Sequence, residues 1–423
     1  MILSNVSVPL LGMVDTGVTG HLESPSYLGA VAIGSTIFSF IYMGMNFLRM
    51  GTTGIAAQRF GANDNDGLRV SLGQAVIVAL LIAALLISLQ IPIGQLAMRL
   101  IGGEPAVQSF ALEYFHIRIW SAPGTLANYV LIGWFLGLQN ARVPLLIFLT
   151  INSTNIVLDL LFVIGLGMKV DGVALASVIA EYSGLAVGLY FVGRSLRERA
   201  GHWPLASFVN IRAYAAFFAV NANLFIRTMA LMFTFAFVTA QGARLGGVIL
   251  AANAILMNLQ TLTAFVLDSF AHAAEALVGK AIGERRRDAL ERAVQLTLKW
   301  SLVFSVGFML FYLLAGPLLV RLLTDLQDVR DTSLQYLPWL IVSPLISVWS
   351  FLYDGVYVGA TRAREMRNIM VISTVVVFLP AWFLLQGYGN HGLWLAFTLF
   401  MASRGIGMHV WYRRAVQPSI PVA

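Results

Sequence analysis

The sequence predicts an all-α polytopic membrane protein of twelve transmembrane helices, arranged as two pseudo-symmetric lobes of six helices each. Of the 423 residues, 58% are hydrophobic and only 11% are charged, and the mean hydropathy is +0.80. A water-soluble chain of this length would carry more charge on its surface. Apolar runs of about 20 residues or more, enough to cross a ~30 Å hydrocarbon core as a helix, recur along the whole chain.

The apolar runs define twelve predicted spans separated by short loops. Their approximate bounds are residues 1–18, 27–56, 69–97, 107–138, 143–166, 172–193, 212–240, 246–279, 290–316, 331–360, 367–386 and 391–412. Several are longer than a helix needs to cross the core, so these helices should tilt, bend or extend into water. Pro123, Pro344 and Pro380 lie inside spans and predict kinks there.

The distribution of Lys and Arg predicts the orientation of the spans. These residues concentrate in the even-numbered loops and at the C-terminal end, which includes Arg404. The odd-numbered loops hold only Arg99, Lys169, Arg244, Arg321 and Arg330. Because basic loops stay on the cytoplasmic side, both termini are expected in the cytoplasm. The longest inner linker, residues 194–211, separates an N-terminal six-helix lobe (1–193) from a C-terminal six-helix lobe (212–423).

The two halves are repeats of one another at an offset of 222 residues. The matching pairs include Asp66/Asp288, Tyr114/Tyr336, Gly133/Gly355, Gly137/Gly359 and Arg142/Arg364. Chance identity among apolar residues does not readily explain Gly, Asp, Tyr and Arg pairs at a single offset. Because each half has an even number of spans, both halves share one orientation. Parallel repeats of this kind are typical of transporters, with a binding site expected between them.

Composition and motifs exclude several classes of function. The chain has no Cys, which excludes disulfides and thiolate chemistry, and its six His residues show no metal-ligand spacing. No Walker motif, G-x-S-x-G or H-E-x-x-H occurs, so neither ATP hydrolysis nor hydrolase activity is indicated, and we expect neither enzymatic activity nor a cofactor. The net charge of +7 lies in short loops, a membrane-topology pattern rather than a nucleic-acid surface.

One carboxylate stands out in the first span, MILSNVSVPLLGMVDTGVT, where Asp15 is the only charged side chain. A carboxylate in the hydrocarbon layer costs roughly 2.5–3.5 kcal/mol on insertion scales, so such a residue normally faces a wet cavity or titrates there. The alternative is an N-terminus that frays into water, with Asp15 as an ordinary cap.

Spans 5 and 6 supply polar side chains at the same depth as Asp15. Asn155 and Asp159 are four residues apart and share a helix face, and Ser177 follows the turn KVDG. Asp15, Asp159 and Ser177 are each expected about 8–11 Å below the outer surface, with Asn155 one turn deeper. Two carboxylates in low dielectric do not readily both ionise, so the group is expected to hold a proton near neutral pH. Na⁺ is the alternative occupant of these oxygen ligands, and a purely structural polar network is the other interpretation.

The second half lacks this chemistry but has its own intramembrane charges. The equivalents of Asp15, Asn155 and Asp159 are Phe237, Val377 and Ala381. Four charged residues could form a separate polar network: Arg227, Asp268, Glu275 and Asp354. Asp268 and Asp354 lie toward the inner ends of spans 8 and 10, where they could form an inner-gate network or a second titrating site. Glu275 lies near the predicted cytoplasmic end, where a solvated charge is the simpler interpretation. Arg227 and Arg118 are expected to pair with carboxylates or with helix-end carbonyls.

Four stretches resemble the multidrug and toxic compound extrusion (MATE) transporters, in particular the DinF branch of that family. They are SNVSVPLLGMVDTGVTGHL in span 1, NIVLDLLFVIGLGMKVDGVALASVIAEY across spans 5 and 6, LDSFAHAAEALVGKAIG in span 8 and DGVYVGATRAR in span 10. The resemblance implies a twelve-helix fold with a V-shaped cleft between two lobes. It implies export of small amphipathic or cationic organic compounds, driven by entry of H⁺, or less favourably Na⁺, by a monomer in the bacterial inner membrane. The family's N-lobe cation site falls on Asp15, Asn155, Asp159 and Ser177, with Ser in place of the usual Thr. Members of the family have a longer N-terminus than this chain.

Two other functions compete with the antiporter. A lipid-linked glycan flippase of the same superfamily would need cations in its cavity for a pyrophosphate, whereas the candidate site is acidic and cleft arginines other than Arg118 and Arg227 are not evident. A membrane-embedded enzyme or receptor would lack catalytic motifs here and would leave the parallel repeats unexplained.

Overall fold

Long helices make up most of the computed structural model, which describes residues 25–102, 104–204, 206–209 and 211–420. The first half contains α1 (Pro25–Met45), α2 (Phe47–Gly61), α3 (Asn65–Ser88), α4 (Gln90–Ile101), α5 (Pro105–Arg118), α6 (Ala122–Gly137), α7 (Arg142–Asp159) and α8 (Val170–Glu198). The short α9 (Ala206–Val209) precedes α10 (Ile211–Leu245), α11 (Gly247–Gly283), α12 (Arg287–Leu323), α13 (Gln327–Gly359), α14 (Ala363–Ile372), α15 (Leu379–Leu385) and α16 (Gly389–Ala415). Within these residues no β-strand occurs.

Short irregular turns interrupt some of the helical rods. A 3₁₀ turn at Ile119–Ser121 lies just before Pro123, and a π-helical segment at Ser373–Phe378 lies just before Pro380. Proline removes a backbone donor and clashes with the preceding turn, which accounts for a break on its N-terminal side. Pro344, by contrast, lies inside α13, which runs unbroken.

Eleven of the twelve predicted spans fall within the described residues. Nine helical stretches there are long and apolar enough to cross a membrane. The last of them, Ala363–Ala415, contains two spans, because Gly389 (φ 56°) follows a 3₁₀ turn in its middle. A further span runs through α5 and α6, divided by the turn before Pro123. The first predicted span, residues 1–18, lies outside the described residues.

The chain divides into two units, Met1–Phe60 with Asp64–Phe217, and Gly61–Asn63 with Phe218–Ala423. The division at 217/218 lies inside α10 rather than in the predicted linker, residues 194–211. The start of that linker is held to α3 of the first unit, because buried Arg69 donates through Nη2 to the carbonyl oxygens of Leu196 (2.9 Å) and Arg199 (2.6 Å). The lobe bounds drawn from the sequence therefore remain a prediction.

Each unit has its own aromatic core. In the first, Trp134 is fully buried, and its indole N–H donates to the carbonyl of Leu68 at 3.1 Å. In the second, Phe378 packs against Phe400 with ring centroids 5.9 Å apart, and Trp394 and Phe397 extend the same cluster. Buried aromatic side chains with satisfied polar groups stabilise such helix packing.

Paired glycines allow the same close helix approach in both units. A Cβ atom on Gly133 would lie 2.4 Å from the carbonyl oxygen of Arg49, and one on Gly355 would lie 2.2 Å from that of Ala271. Both members of each contact are related by the offset of 222 residues. Small residues let membrane helices approach closely enough for direct backbone contact. The internal repeat of the sequence is thus also a repeat of packing.

The connecting loops repeat as well. Among non-glycine residues, left-handed backbone conformations occur at Asn63 (φ 54°) and Arg285 (φ 57°), and again at Gln139 (φ 60°) and Thr361 (φ 54°). Each pair differs by 222 residues. Left-handed conformations are uncommon outside glycine, so their recurrence at equivalent positions indicates that the two halves share loop geometry.

Gly133→Ala and Gly355→Ala should each destabilise the protein, because the added methyl group has no space without separating two helices. We expect a loss of about 1–3 kcal/mol in the free energy of unfolding, typical of overpacking. The measurement is the midpoint of thermal unfolding of purified protein in detergent. Gly193→Ala is the matched control, since no atom lies within 4 Å of the position that its methyl group would take. Equal midpoints for all three variants would contradict the packing argument.

Candidate cation-coupling site

Asp159 lies at the end of a buried stripe on α7. Every fourth residue along this helix is buried, in the order Val143, Ile147, Ile151, Asn155 and Asp159. The stripe is apolar for three positions and polar for the last two. Asp159 is 0% exposed and Asn155 is 1% exposed. The helix therefore turns these two polar side chains into protein, while Val157 and Leu160 beside them are exposed.

Helix α8 supplies the hydroxyl. Ser177 is buried, and its Oγ accepts a hydrogen bond from Asn155 Nδ2 at 3.4 Å, a long and therefore weak contact. The two helices come close because Gly184 of α8 faces Ile151 of α7, where a methyl group would lie 2.5 Å from the isoleucine Cγ1. The chain thus brings together Asn155 and Ser177, which are 22 residues apart in sequence.

Asp159 follows Asn155 by one helical turn on the same stripe, a rise of about 6 Å. Asp15, the other carboxylate of the predicted site, lies outside the described residues. Three of the four predicted residues are therefore buried on two neighbouring helices, two of them in direct contact. Their role as a cation site remains a prediction.

A π-helical segment, Leu160–Gly165, begins directly after Asp159. Segments of this kind frequently mark functional sites, because the wider turn releases backbone groups from the regular ladder. The chain then reverses at Gly167 (φ 69°), and the backbone N–H of Lys169 donates to Asp171 Oδ1 at 2.8 Å. Nothing in the apolar pattern of LLFVIG distinguishes a π segment from an α-helix, so sequence reasoning missed it.

The residues of the second unit that are equivalent to Asp15, Asn155 and Asp159 are apolar. Phe237, the counterpart of Asp15, packs edge-on against Phe378 with centroids 5.5 Å apart. Val377 lies in the second π segment, Ser373–Phe378, and Ala381 lies in α15. The polar stripe is therefore a property of the first unit.

The second unit holds a different charged cluster, centred on Asp354 of α13. Its Oδ2 accepts hydrogen bonds from Arg227 Nη2 of α10 and from Arg404 Nη2 of α16, the latter at 2.8 Å. Arg404 is only 2% exposed. Asp268 of α11 interacts electrostatically with Arg404. The cluster thus joins four helices through two cations and two carboxylates.

One prediction about charge in the second half was wrong, because Glu275 was expected to be solvated but is 2% exposed. Arg404, which was counted among the cytoplasmic residues of the C-terminal end, is buried against Asp354. The side of the membrane on which Arg404 lies remains a prediction. Both residues lie near the ends of apolar runs, where sequence alone does not separate a buried charge from a solvated one.

An amphipathic cavity of about 240 Å³ opens between α10 and α11 of the second unit. Aromatic, Met and amide side chains line it, including Phe235, Asn253, Met257 and Thr261. Asn253 is held by a reciprocal amide pair with Asn390, at 2.8 and 2.9 Å. A soft apolar wall with a few fixed polar groups is typical of sites for small organic molecules.

Comparison with known proteins agrees with this fold. The family model MatE matches two segments, residues 1–161 and 224–383. The chain is 43% identical over 414 residues to the DNA damage-inducible protein F of Escherichia coli K12, covering 98% of this chain and 90% of the relative. It is 23% identical to the multidrug resistance protein MdtK of Edwardsiella ictaluri, covering 98% and 94%. A solved outward-facing multidrug resistance MATE family transporter of the MOP superfamily matches with a TM-score of 0.88 at 20% identity, covering 100% and 95%.

The fold and these matches define a multi-pass membrane transporter rather than an enzyme. The chain belongs to the MatE family, as the motifs of spans 1, 5, 6, 8 and 10 indicated. The predicted twelve-helix architecture of two six-helix lobes is confirmed. The same family model matches once in each half of the chain, which agrees with the internal repeat.

Proposed function

We propose that this chain is a proton-coupled antiporter that exports small amphipathic or cationic organic compounds across the inner membrane of a bacterium. Its substrates follow from the multidrug resistance relatives and from the amphipathic cavity of the second unit. Both termini face the cytoplasm in this proposal, as the distribution of Lys and Arg predicts. The lobes 1–193 and 212–423, joined by the linker 194–211, alternate between inward-open and outward-open states, and the protein acts as a monomer.

The observation that carries the proposal is the complete burial of Asp159 inside a membrane-spanning helix, beside Asn155 and Ser177. A buried carboxylate is costly unless its charge is compensated or neutralised. A single proton removes that charge without the cost of dehydrating a metal ion. Entry of a proton from outside, at Asp159 and Asp15, therefore provides a charge change that can favour one state of the transporter over the other.

Na⁺ is the second candidate for the coupling ion. The possible ligands are carboxylate, amide and hydroxyl oxygens, from Asp15, Asn155, Asp159 and Ser177. Hard cations prefer such ligands. Proton coupling is the stronger proposal because one proton neutralises the buried carboxylate of Asp159 without dehydrating a metal ion. Neither alternative requires a cofactor.

Separate gradients decide between the two ions. Purified protein is reconstituted into proteoliposomes loaded with tetraphenylphosphonium, a permanent organic cation, and a pH gradient or a Na⁺ gradient is imposed alone. We expect the pH gradient to drive movement of the cation, because proton binding neutralises Asp159, and the Na⁺ gradient at equal pH to drive none. Movement driven only by Na⁺ would reject proton coupling, and no movement under either gradient would reject the antiporter.

A lipid-linked glycan flippase remains the alternative function. The two arginines of the second unit that are buried in the described structure, Arg227 and Arg404, are engaged with Asp354 rather than presented to a pyrophosphate. This arrangement favours the antiporter. Rescue of a cell-wall precursor defect by the chain would favour the flippase instead.

A further inference from the structure

A second carboxylate lies in the first unit, outside the predicted site. Glu181 follows Ser177 by four residues on α8, so the two side chains share a face of the helix. The side chain is partly buried. The apolar run LASVIAEYSGLAVGL does not account for a carboxylate, and the predicted cation site does not use it.

A buried amide holds Glu181. Asn128 of α6 is 2% exposed, and its Nδ2 donates to both Glu181 Oε2 and the Glu181 carbonyl, each at 2.9 Å. The other end of the amide, Asn128 Oδ1, is buried and has no hydrogen-bond partner among the described residues. Buried acceptors are normally satisfied, so a donor is missing at this point.

Protonation of Glu181 would supply that donor. In the charged form the carboxylate accepts from the amide N–H₂, as observed. In the neutral form the new O–H of Glu181 can donate to the amide oxygen after rotation of the amide. Both charge states of Glu181 therefore have a hydrogen-bond partner in Asn128, which lowers the cost of changing between them.

Charged and titratable side chains on the neighbouring helices surround Glu181. Helix α5 contributes the Arg118 guanidinium, whose positive charge attracts the carboxylate of Glu181. Helix α1 contributes the phenol of Tyr42, whose OH is 2.8 Å from Ser121 Oγ, and α6 contributes Tyr129. Helix α7, which packs against α8, carries one carboxylate, Asp159. One proton added to Glu181 Oε2 cancels one negative charge and leaves the charge of Arg118 unchanged.

We propose that Glu181 is a second proton-binding carboxylate of the first unit, placed one helical turn beyond Ser177 and backed by Asn128. The inference rests on the proposed proton-coupled function and extends it. The polar side chains Asp159, Asn155, Ser177, Glu181 and Asn128 then form one track across α7, α8 and α6. Protons exchange along this track during the transport cycle.

Infrared difference spectroscopy tests Glu181 directly. Full-length protein in lipid nanodiscs is brought from about pH 9 to about pH 6, where exposed carboxylates stay ionised, and the carboxylic-acid C=O band that appears is compared between variants. We expect Glu181→Gln to lose part of this band, whereas Glu198→Gln keeps it whole. Glu198 is the matched control because it lies on the same helix, is exposed, and pairs only with Arg194 in the described structure. A full band in Glu181→Gln would overturn the inference.

Transport separates this inference from the proposed function. In the proteoliposome assay, Glu181→Gln should extrude tetraphenylphosphonium more slowly than Glu198→Gln under the same pH gradient, because it has lost one proton-binding carboxylate. Equal rates would overturn the role of Glu181 even where Asp159→Asn is inactive. Normal extrusion by Asp159→Asn would instead reject the proposed function.

Asn128→Leu covers the case in which Glu181→Gln fails to fold. This variant retains the carboxylate and removes its amide partner. It should move the pH midpoint of the Glu181 band, because both charge states lose a hydrogen bond of unequal strength. An unchanged midpoint would show that Asn128 has no part in the titration and would overturn the proposed arrangement.

Discussion

Asp159→Asn should abolish extrusion driven by a pH gradient. Asparagine retains the size and the polar character of the side chain, so the stripe of α7 stays intact. It cannot bind and release a proton, however, so the conformational equilibrium loses its dependence on proton entry. The rate of tetraphenylphosphonium extrusion under a pH gradient should therefore fall to that of liposomes without protein.

The control for Asp159→Asn is Asp331→Asn, an identical change at an exposed position of α13. Both variants should purify as monodisperse protein. Asp159→Asn should unfold at a temperature equal to or above that of the unaltered protein, because it no longer buries a titratable acid. Extrusion at the normal rate by Asp159→Asn would remove the basis of the proposed mechanism, whatever the behaviour of Asp15.

Asp354→Asn should cause the largest loss of stability. Asp354 Oδ2 accepts from two buried guanidinium groups, those of Arg227 and Arg404. Removing the carboxylate charge leaves two cations in a low-dielectric interior, and Asp268 compensates only in part. Breaking a buried ion pair from one side costs about 3–5 kcal/mol. We expect a marked fall in the midpoint of thermal unfolding of the purified protein.

Asp325→Asn is the matched control for this variant. It removes a carboxylate that pairs with Arg330 at 2.8 Å but is fully exposed, and such pairs contribute about 0–1 kcal/mol. A compensating change tests the cause: Arg404→Met added to Asp354→Asn should recover part of the lost stability, because one uncompensated cation is gone. If Asp354→Asn and Asp325→Asn unfold at the same temperature, the cluster has no net structural role.

Much of the candidate site could be anticipated from spacing. Asn155 and Asp159 lie four residues apart in an apolar span, so a shared buried face follows from helix geometry alone. Contact between Asn155 and Ser177 could not be derived in this way, since it depends on how closely α7 approaches α8. That approach depends on Gly184, whose missing side chain leaves room for Ile151.

The buried charges of the second unit could not be anticipated from the sequence. Arg404 lies in RGIGMHVWYRR, where a basic residue near the end of a span normally reaches water. The tertiary structure buries it, because Asp354 of another helix provides a partner 2.8 Å away. A partner 50 residues distant in sequence leaves no local signal. Sequence reasoning missed Glu181 for the same reason, since its amide partner Asn128 belongs to a different helix.

The sequence by itself determined the membrane-spanning character, the number of predicted spans, the internal repeat and the family. These properties depend on hydropathy summed over long runs and on identities at one offset, which remain legible without knowing any contact. The tertiary structure alone decided which polar groups meet: Asn155 with Ser177, Asn128 with Glu181, and both arginines with Asp354. In an apolar medium each intramembrane charge must find a partner, and helix packing, not chain order, selects that partner.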